Sequence, residues 1–104
     1  MARVPYGYKQ EGDGLAIDAE QAAIVARIFS EFCRPYIRAG LSEIAEGLNL
    51  DGVPTQRGGM WHASTIRYLL SNQVYADGPT AIITIGAFNQ AQSRLASMQR
   101  GPTR

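Results

Sequence analysis

The sequence predicts a mainly α-helical domain with a small β element. Three segments, residues 18–33, 42–49 and 63–72, carry apolar side chains at the spacing of amphipathic helices. Short strands are expected at the N-terminus and near residues 81–83. The second and third helices are joined by a glycine-rich turn, which favours a helix-turn-helix-like pair.

The length and composition indicate one globular domain spanning residues 1–104. No apolar run approaches the roughly 18 residues of a membrane span, and the N-terminus lacks the pattern of a secretory signal. We therefore expect a cytoplasmic protein with no membrane partner. The single cysteine, Cys33, excludes an internal disulfide and a multi-cysteine zinc site.

The N-terminal part begins with a predicted hairpin and continues into the longest helix. Tyr6–Lys9 is expected to pair with Leu15–Ile17 around a turn at Asp13-Gly14. Asp18 and Gln21 have the spacing of a helix capping box. The apolar stripe of this first helix predicts a side that faces the core, and a partner-docking face is the alternative; it comprises Ile24, Val25, Ile28, Phe29 and Phe32.

The remaining helices complete the predicted core. Ser42 is a plausible N-cap of the second helix, and Trp61 is expected to anchor the core between the second and third helices. Thr84 can cap a last helix that carries Phe88, Ala91 and Leu95 on one face. The predicted core contains Phe29, Ile44, Leu48, Trp61, Ile66 and Leu70.

The third helix carries the most informative pattern. Its apolar residues Ile66, Leu69 and Leu70 define a buried side, and hydrogen-bonding side chains occupy the opposite side. An arginine on such a helix can pair with the O6 and N7 atoms of guanine in the major groove. The helix and the loop before it therefore predict recognition of double-stranded DNA by Thr55, Gln56, Arg57, His62, Ser64, Thr65, Arg67, Tyr68 and Ser71.

The charge distribution fits a weak DNA interaction. The formal net charge is only +1, but residues 1–50 hold five basic and seven acidic residues, and residues 51–104 hold five basic and two acidic residues. The predicted recognition helix thus lies in the basic half. Since few phosphate contacts are available, we expect weak and salt-sensitive DNA affinity.

No set of catalytic residues is evident. His62 is the only histidine, so no metal site is expected. A Cys33–His62 dyad would require an accessible thiol, and the apolar surroundings of Cys33 argue against one. Gly58-Gly59 lacks the lysine and hydroxyl residue of a phosphate-binding loop. We expect no cofactor and no small-molecule ligand.

From residue 5 to about residue 96, the order of residues resembles the central recombinase domain of the large serine recombinases, which include phage integrases and transposon resolvases. Each piece is short, but all follow in the same order. The matching pieces are Pro5-Tyr6-Gly7-Tyr8, Ala22 with Ile24-Val25 and Ile28-Phe29, Ser42 with Ile44-Ala45 and Leu48-Asn49, Gly52-Val53-Pro54-Thr55, Trp61, and Ile66 with Leu69-Leu70, Asn72 and Tyr75.

The resemblance implies the DNA-binding domain of a bacterial site-specific recombinase. In that family a separate N-terminal domain carries the catalytic serine, and zinc-binding and coiled-coil segments usually follow. We therefore expect this chain to be a fragment that is not itself an enzyme, with self-association left to the missing domains. The alternatives are a helical protein-interaction domain, in which the first helix docks a partner, and a helix-turn-helix transcriptional regulator.

Overall fold

The computed structural model describes residues 4–35 and 39–100, with side chains to residue 98. A two-stranded hairpin is followed by four α-helices, and two short 3₁₀ turns lie before the last of them, so the mainly α-helical prediction is confirmed. The elements are β1 (Tyr8–Glu11), β2 (Gly14–Ile17), α1 (Ala19–Phe32), α2 (Leu41–Leu50), α3 (Ala63–Leu70), the 3₁₀ turns Gln73–Ala76 and Gly78–Thr80, and α4 (Ile85–Arg100).

The predicted hairpin is present, but its first strand is Tyr8–Glu11 and not Tyr6–Lys9, and its turn lies one residue earlier. Tyr8 lies opposite Ile17 and Glu11 lies opposite Gly14, so the loop is Gly12-Asp13 and not Asp13-Gly14. Gly12 has a φ of +58°, a left-handed conformation that suits glycine at the first position of a two-residue loop. The turn therefore falls where Gly12, and not Gly14, adopts that conformation.

Helix α1 is capped by one half of the predicted box. The Asp18 Oδ1 atom accepts a hydrogen bond from the Gln21 backbone N–H at 3.2 Å. The Gln21 side chain does not return to Asp18; its Oε1 atom accepts from the Gly7 backbone N–H at 2.8 Å. Gln21 therefore fastens the N-terminal segment to the start of α1.

Helix α2 begins one residue earlier than predicted, so Ser42 is not its N-cap. Gly40 occupies that position, and its backbone N–H donates to Glu43 Oε1 at 2.7 Å. Leu41 packs against the core as the first residue of the helix, so Ser42 lies within the first turn. The serine side chain is exposed on the first turn.

The core brings together all four helices, the hairpin and the first 3₁₀ turn. All six predicted core residues are buried, each at most 2% exposed. On α1, the side chains of Val25, Ile28, Phe29 and Phe32 are also at most 2% exposed. The apolar stripe of α1 is therefore occupied within the domain, which contradicts the alternative that it docks a partner.

Helix α4 closes the fold by satisfying the ends of two other helices. Gln92 Nε2 donates to the Leu70 carbonyl at 2.6 Å, and the Arg94 guanidinium donates to the Phe32 carbonyl at 2.6 Å. Leu70 and Phe32 are the last residues of α3 and α1, whose final carbonyls have no partner within their own helices. Helix α4 thus holds the C-terminal ends of α1 and α3 in place.

In the segment before α4, residues 81–84, one prediction was wrong and another is confirmed. Residues 81–83 are irregular and not a strand, because the backbone N–H groups of Ile82 and Ile83 both donate to the Tyr75 carbonyl, at 2.8 and 3.0 Å. Thr84 caps α4 as predicted, since its Oγ1 atom accepts from the Ala87 N–H at 3.0 Å.

Candidate nucleic-acid interface

Helix α3 is two residues shorter than predicted. Ser71 is its C-cap, with its hydroxyl donating to the Arg67 carbonyl at 2.8 Å. Asn72 lies outside the helix, where its Oδ1 atom accepts from the Val74 N–H at 3.1 Å and starts the next 3₁₀ turn. The asparagine side chain thus competes with helix continuation, as this residue type commonly does.

The two sides of α3 are arranged as the sequence indicated. Ile66, Leu69 and Leu70 are buried, whereas Ser64, Tyr68 and Ser71 are exposed on the side away from them. Tyr68 projects furthest into solvent and is 75% exposed. Among residues 4–35 and 39–100, no other element covers the exposed side of α3, which presents hydroxyl groups.

Arg67 and Thr65 lie on opposite flanks of that exposed side. Both are half-buried, and the helical rotation of 3.6 residues per turn separates their directions widely. Helix α3 thus presents a hydroxyl-bearing ridge with an arginine along one edge. His62 is the exposed N-cap residue, and its side chain makes no capping hydrogen bond.

The glycine-rich loop before α3 is a compact, hydrogen-bonded turn. The Thr55 carbonyl accepts from the Gly58 N–H at 2.9 Å, and the Thr55 Oγ1 atom accepts from the Gly59 N–H at 2.9 Å. Gln56 Nε2 donates to the Val4 carbonyl at 2.6 Å. Two of the predicted DNA contacts, Thr55 and Gln56, therefore hold the loop together.

Arg57 differs from its two neighbours in the loop. Its side chain is exposed, and it forms no hydrogen bond or ion pair within the described parts of the chain. Its guanidinium group is therefore available to a ligand at the tip of an otherwise fastened turn.

Asn49 fixes the position of this loop and was not identified from the sequence as a positioning residue. Its side chain donates from Nδ2 to the Trp61 carbonyl at 3.0 Å and accepts at Oδ1 from the Trp61 N–H at 2.8 Å. The Trp61 indole N–H donates to the Val53 carbonyl at 3.0 Å. The connection from α2 to α3 is thus closed at both ends, although it is longer than the three or four residues of a typical helix-turn-helix.

An open groove of about 420 Å³ lies between the N-terminal segment and α3. The N-terminal wall is held by the Tyr75 hydroxyl, which donates to the Tyr6 carbonyl at 2.7 Å, and by the edge-to-face packing of Tyr6 on Trp61. Burial raises the pKa of the Tyr75 phenol, so it remains a donor. The groove is lined by Val4, Pro5, Tyr6, Thr55, Gln56, Arg57, Met60, Trp61, Thr65, Tyr68, Leu69, Asn72 and Tyr75.

The groove divides the predicted DNA contacts into two sets. Thr55, Gln56, Arg57, Thr65 and Tyr68 line it. The second set lies outside the groove. Ser64 and Ser71 are on the exposed ridge of α3, Arg67 is on its flank, and His62 is its N-cap residue. The two sets meet at Tyr68, which belongs both to the ridge and to the groove wall.

The surroundings of α3 are free of negative charge along the chain. Residues 52–76 contain Arg57, Arg67 and His62 and no aspartate or glutamate. Immediately before this stretch, Asp51 is paired with Arg27 at 2.7 Å. The candidate interface is therefore weakly basic without an opposing carboxylate of its own.

The structure gives no support to a cysteine–histidine dyad. Cys33 is half-buried at the end of α1, and its Sγ atom lies 3.9 Å from the Ala87 carbonyl. Burial raises the pKa of the thiol, which is the opposite of nucleophile activation. Within residues 4–35 and 39–100, no three histidine, cysteine or acidic side chains group as metal ligands, and no helix is long and apolar enough to span a membrane.

Comparison with known proteins identifies the family. The Recombinase family matches residues 19–80, more than half of the chain, and the chain therefore belongs to that family. The fold is also that of a solved protein from the crystal structure of an LSR–DNA complex, with a TM-score of 0.77 and 18% sequence identity over 99% of this chain. This chain spans 35% of that protein. No curated protein matches it.

Proposed function

We propose that this chain is the DNA-binding region of a site-specific serine recombinase and positions the catalytic domain of that recombinase on its attachment site. The observation that carries the proposal is the exposed, hydroxyl-bearing side of α3, flanked by Arg67 within a stretch without acidic residues. Membership of the Recombinase family and the likeness to a protein solved with DNA support it.

In this proposal α3 enters the major groove with its exposed side towards the bases. Arg67 pairs with guanine O6 and N7 through two parallel hydrogen bonds, which neither lysine nor glutamine reproduces. Ser64 can donate to a base or a phosphate. The Ser71 hydroxyl proton is held by the Arg67 carbonyl, so Ser71 acts as an acceptor. His62, at the helix N-cap, lies where a phosphate is favoured.

Arg57 contributes affinity without sequence preference. Its exposed guanidinium group on the fastened turn is suited to a backbone phosphate beside the groove that α3 occupies. Gln56 and Thr55 act through the turn that holds Arg57, because their side chains are engaged with Val4 and Gly59. Only a few charges then contact DNA, which accounts for the weak affinity expected.

Strand exchange belongs to the catalytic serine of the parent recombinase, which acts on DNA in the bacterial cytoplasm. The chain alone is expected neither to cleave nor to join DNA. Incubation with supercoiled plasmid, followed by detection of covalent protein–DNA adducts, tests this expectation. A nicked product linked to the chain would contradict it.

The proposal is tested by selection of bound duplexes from a random DNA pool. We expect enrichment of a short motif that contains at least one guanine, and loss of preference at that position with Arg67→Ala. Retention of duplexes without any enriched sequence would leave only nonspecific binding. Absence of retention at low salt would overturn the proposal.

A further inference from the structure

The groove beside α3 has a chemistry that the proposed base contacts do not use. Its walls carry two exposed apolar side chains, Met60 at 64% and Tyr68 at 75% exposure. Exposed apolar surface that is grouped around a concave surface and bordered by polar groups is typical of a binding groove. Within the part of the chain that the structure describes, no other element covers them.

The polar lining of the groove includes one cationic side chain, Arg57, and no carboxylate. The Arg57 guanidinium and the Thr65 and Tyr68 hydroxyls make no hydrogen bond to any other described residue. No aspartate or glutamate is among the lining residues. An anionic ligand with apolar faces therefore complements this surface, and a cationic ligand does not.

The groove is formed before any ligand arrives. Gln56 joins its loop wall to Val4 on the N-terminal wall, and Tyr75 holds Tyr6 on the same side. Trp61 lies beneath, 2% exposed, with its indole bonded to Val53. Since these contacts fix both walls, binding requires little reorganisation of the chain.

We propose that this groove seats the sugar–phosphate backbone of one DNA strand while α3 occupies the major groove. Met60 and the Tyr68 ring pack against deoxyribose, and Arg57 and Thr65 donate to the adjoining phosphates. The inference rests on the proposed DNA-binding function and adds Met60 and the groove to the predicted contacts. A deoxyribose phosphate combines apolar faces with an anionic group, which is the combination that the lining complements.

The first experiment replaces the exposed methionine. Met60→Gln keeps the length of the side chain and removes its apolar character at a position that does not build the core. We expect a roughly three- to tenfold loss of affinity for a duplex obtained by the random-pool selection, because apolar area is no longer buried on binding. The matched control is Met98→Gln on α4, which is 39% exposed and does not line the groove.

The second experiment locates the phosphate. Single methylphosphonate substitutions are scanned along both strands of the same duplex, each of which removes one backbone charge. We expect one or two adjacent positions that weaken wild-type binding roughly three- to tenfold, as loss of a charge-assisted hydrogen bond would. At the position that Arg57 contacts, the Arg57→Ala variant should bind the substituted duplex no more weakly than the unsubstituted one, whereas a position contacted by Thr65 should keep its effect.

The outcomes separate this inference from the function on which it rests. A wild-type chain that binds duplex DNA, with Met60→Gln as tight as Met98→Gln, overturns the groove as a backbone seat. A scan in which no phosphate effect depends on Arg57 overturns it as well. If the wild-type chain fails to bind duplex DNA at all, the proposed function falls together with the inference.

Discussion

At the residue scale, several polar side chains of the candidate interface already form hydrogen bonds within the protein, and others do not. Thr55 and Gln56 hold the loop, and Ser71 caps its own helix. Arg57, Tyr68 and Thr65 have no such partner within the described residues. From the sequence, all of these side chains were predicted to contact DNA, because hydrogen-bonding partners far apart in the chain, such as Val4 and Gln56, leave no local pattern.

Arg67 carries the sharpest prediction at this scale. If it pairs with guanine, Arg67→Ala should weaken binding to the selected duplex by roughly 1–3 kcal/mol and relax one base position. Arg67→Lys should recover little of the loss, because lysine lacks the planar fork of donors. Fluorescence anisotropy with the selected duplex and with single-base variants of it measures both effects.

A folded Arg67→Ala variant with unchanged affinity and unchanged selected sequence would remove Arg67 from base recognition. A uniform loss of affinity for all duplexes, with the sequence preference unchanged, would indicate that Arg67 contacts a phosphate. Arg34→Ala provides the control, since Arg34 is an exposed arginine that follows α1, outside α3 and its preceding loop.

At the element scale, the orientation of α3 depends on contacts at its two ends. Asn49 and Val53 hold Trp61 at its entrance, and Gln92 binds the Leu70 carbonyl at its exit. Both supports come from neighbouring helices or the loop before α3. The exposed side of α3 can therefore keep a fixed direction although the helix has only eight residues.

Asn49→Ala tests the support at the entrance of α3. The substitution leaves the backbone N–H and carbonyl of the buried Trp61 without their partner, which should lower the free energy of unfolding by about 1–3 kcal/mol. Because the loop that carries Arg57 is closed by the same contact, DNA affinity should fall as well. Urea unfolding and anisotropy measure the two effects.

Asn89→Ala is the matched control, because Asn89 is exposed on α4. It should change stability by less than about 0.5 kcal/mol. An Asn49→Ala variant as stable as Asn89→Ala, with unchanged affinity, would show that the asparagine does not position the loop.

The sequence predicted the helices well, because an amphipathic stripe is a local signal that the core then confirms. Phe29, Leu48 and Ile66 stand at such spacings and are buried as expected. Boundaries and turns were harder to predict. Gly40 and not Ser42 is the N-cap of α2, and Leu41, the first residue of the helix, packs on the core. Residues 81–83 form no strand, because the backbone N–H groups of Ile82 and Ile83 bind the Tyr75 carbonyl.

At the scale of the whole molecule, one continuous core joins the four helices and presents α3 to solvent on one side. Leu48 of α2 and Leu70 of α3 are both 0% exposed within that core. The exposed side of α3 keeps its position only if this core is intact. Stability and DNA binding should therefore be lost together when the core is disrupted.

Leu48→Ala and Leu70→Ala should each lower the free energy of unfolding by about 2–5 kcal/mol, through lost burial and the cavity that remains. Leu50→Ala is the control, because Leu50 ends α2 at 87% exposure and should change stability by less than about 0.5 kcal/mol. Chemical denaturation followed by tryptophan fluorescence reports on this core, since Trp61 lies in it. A loss below about 0.5 kcal/mol for both buried leucines would mean that the core is assigned wrongly.

The most direct test of the central claim, that this chain binds duplex DNA through α3 and the loop before it, is the salt dependence of its affinity. The logarithm of the binding constant should fall linearly with the logarithm of salt concentration, with a slope of about −1 to −2 for the two arginines, Arg57 and Arg67, that approach DNA. Arg57→Ala should reduce the steepness by about one unit. Binding with no salt dependence, or a slope that Arg57→Ala leaves unchanged, would contradict the claim.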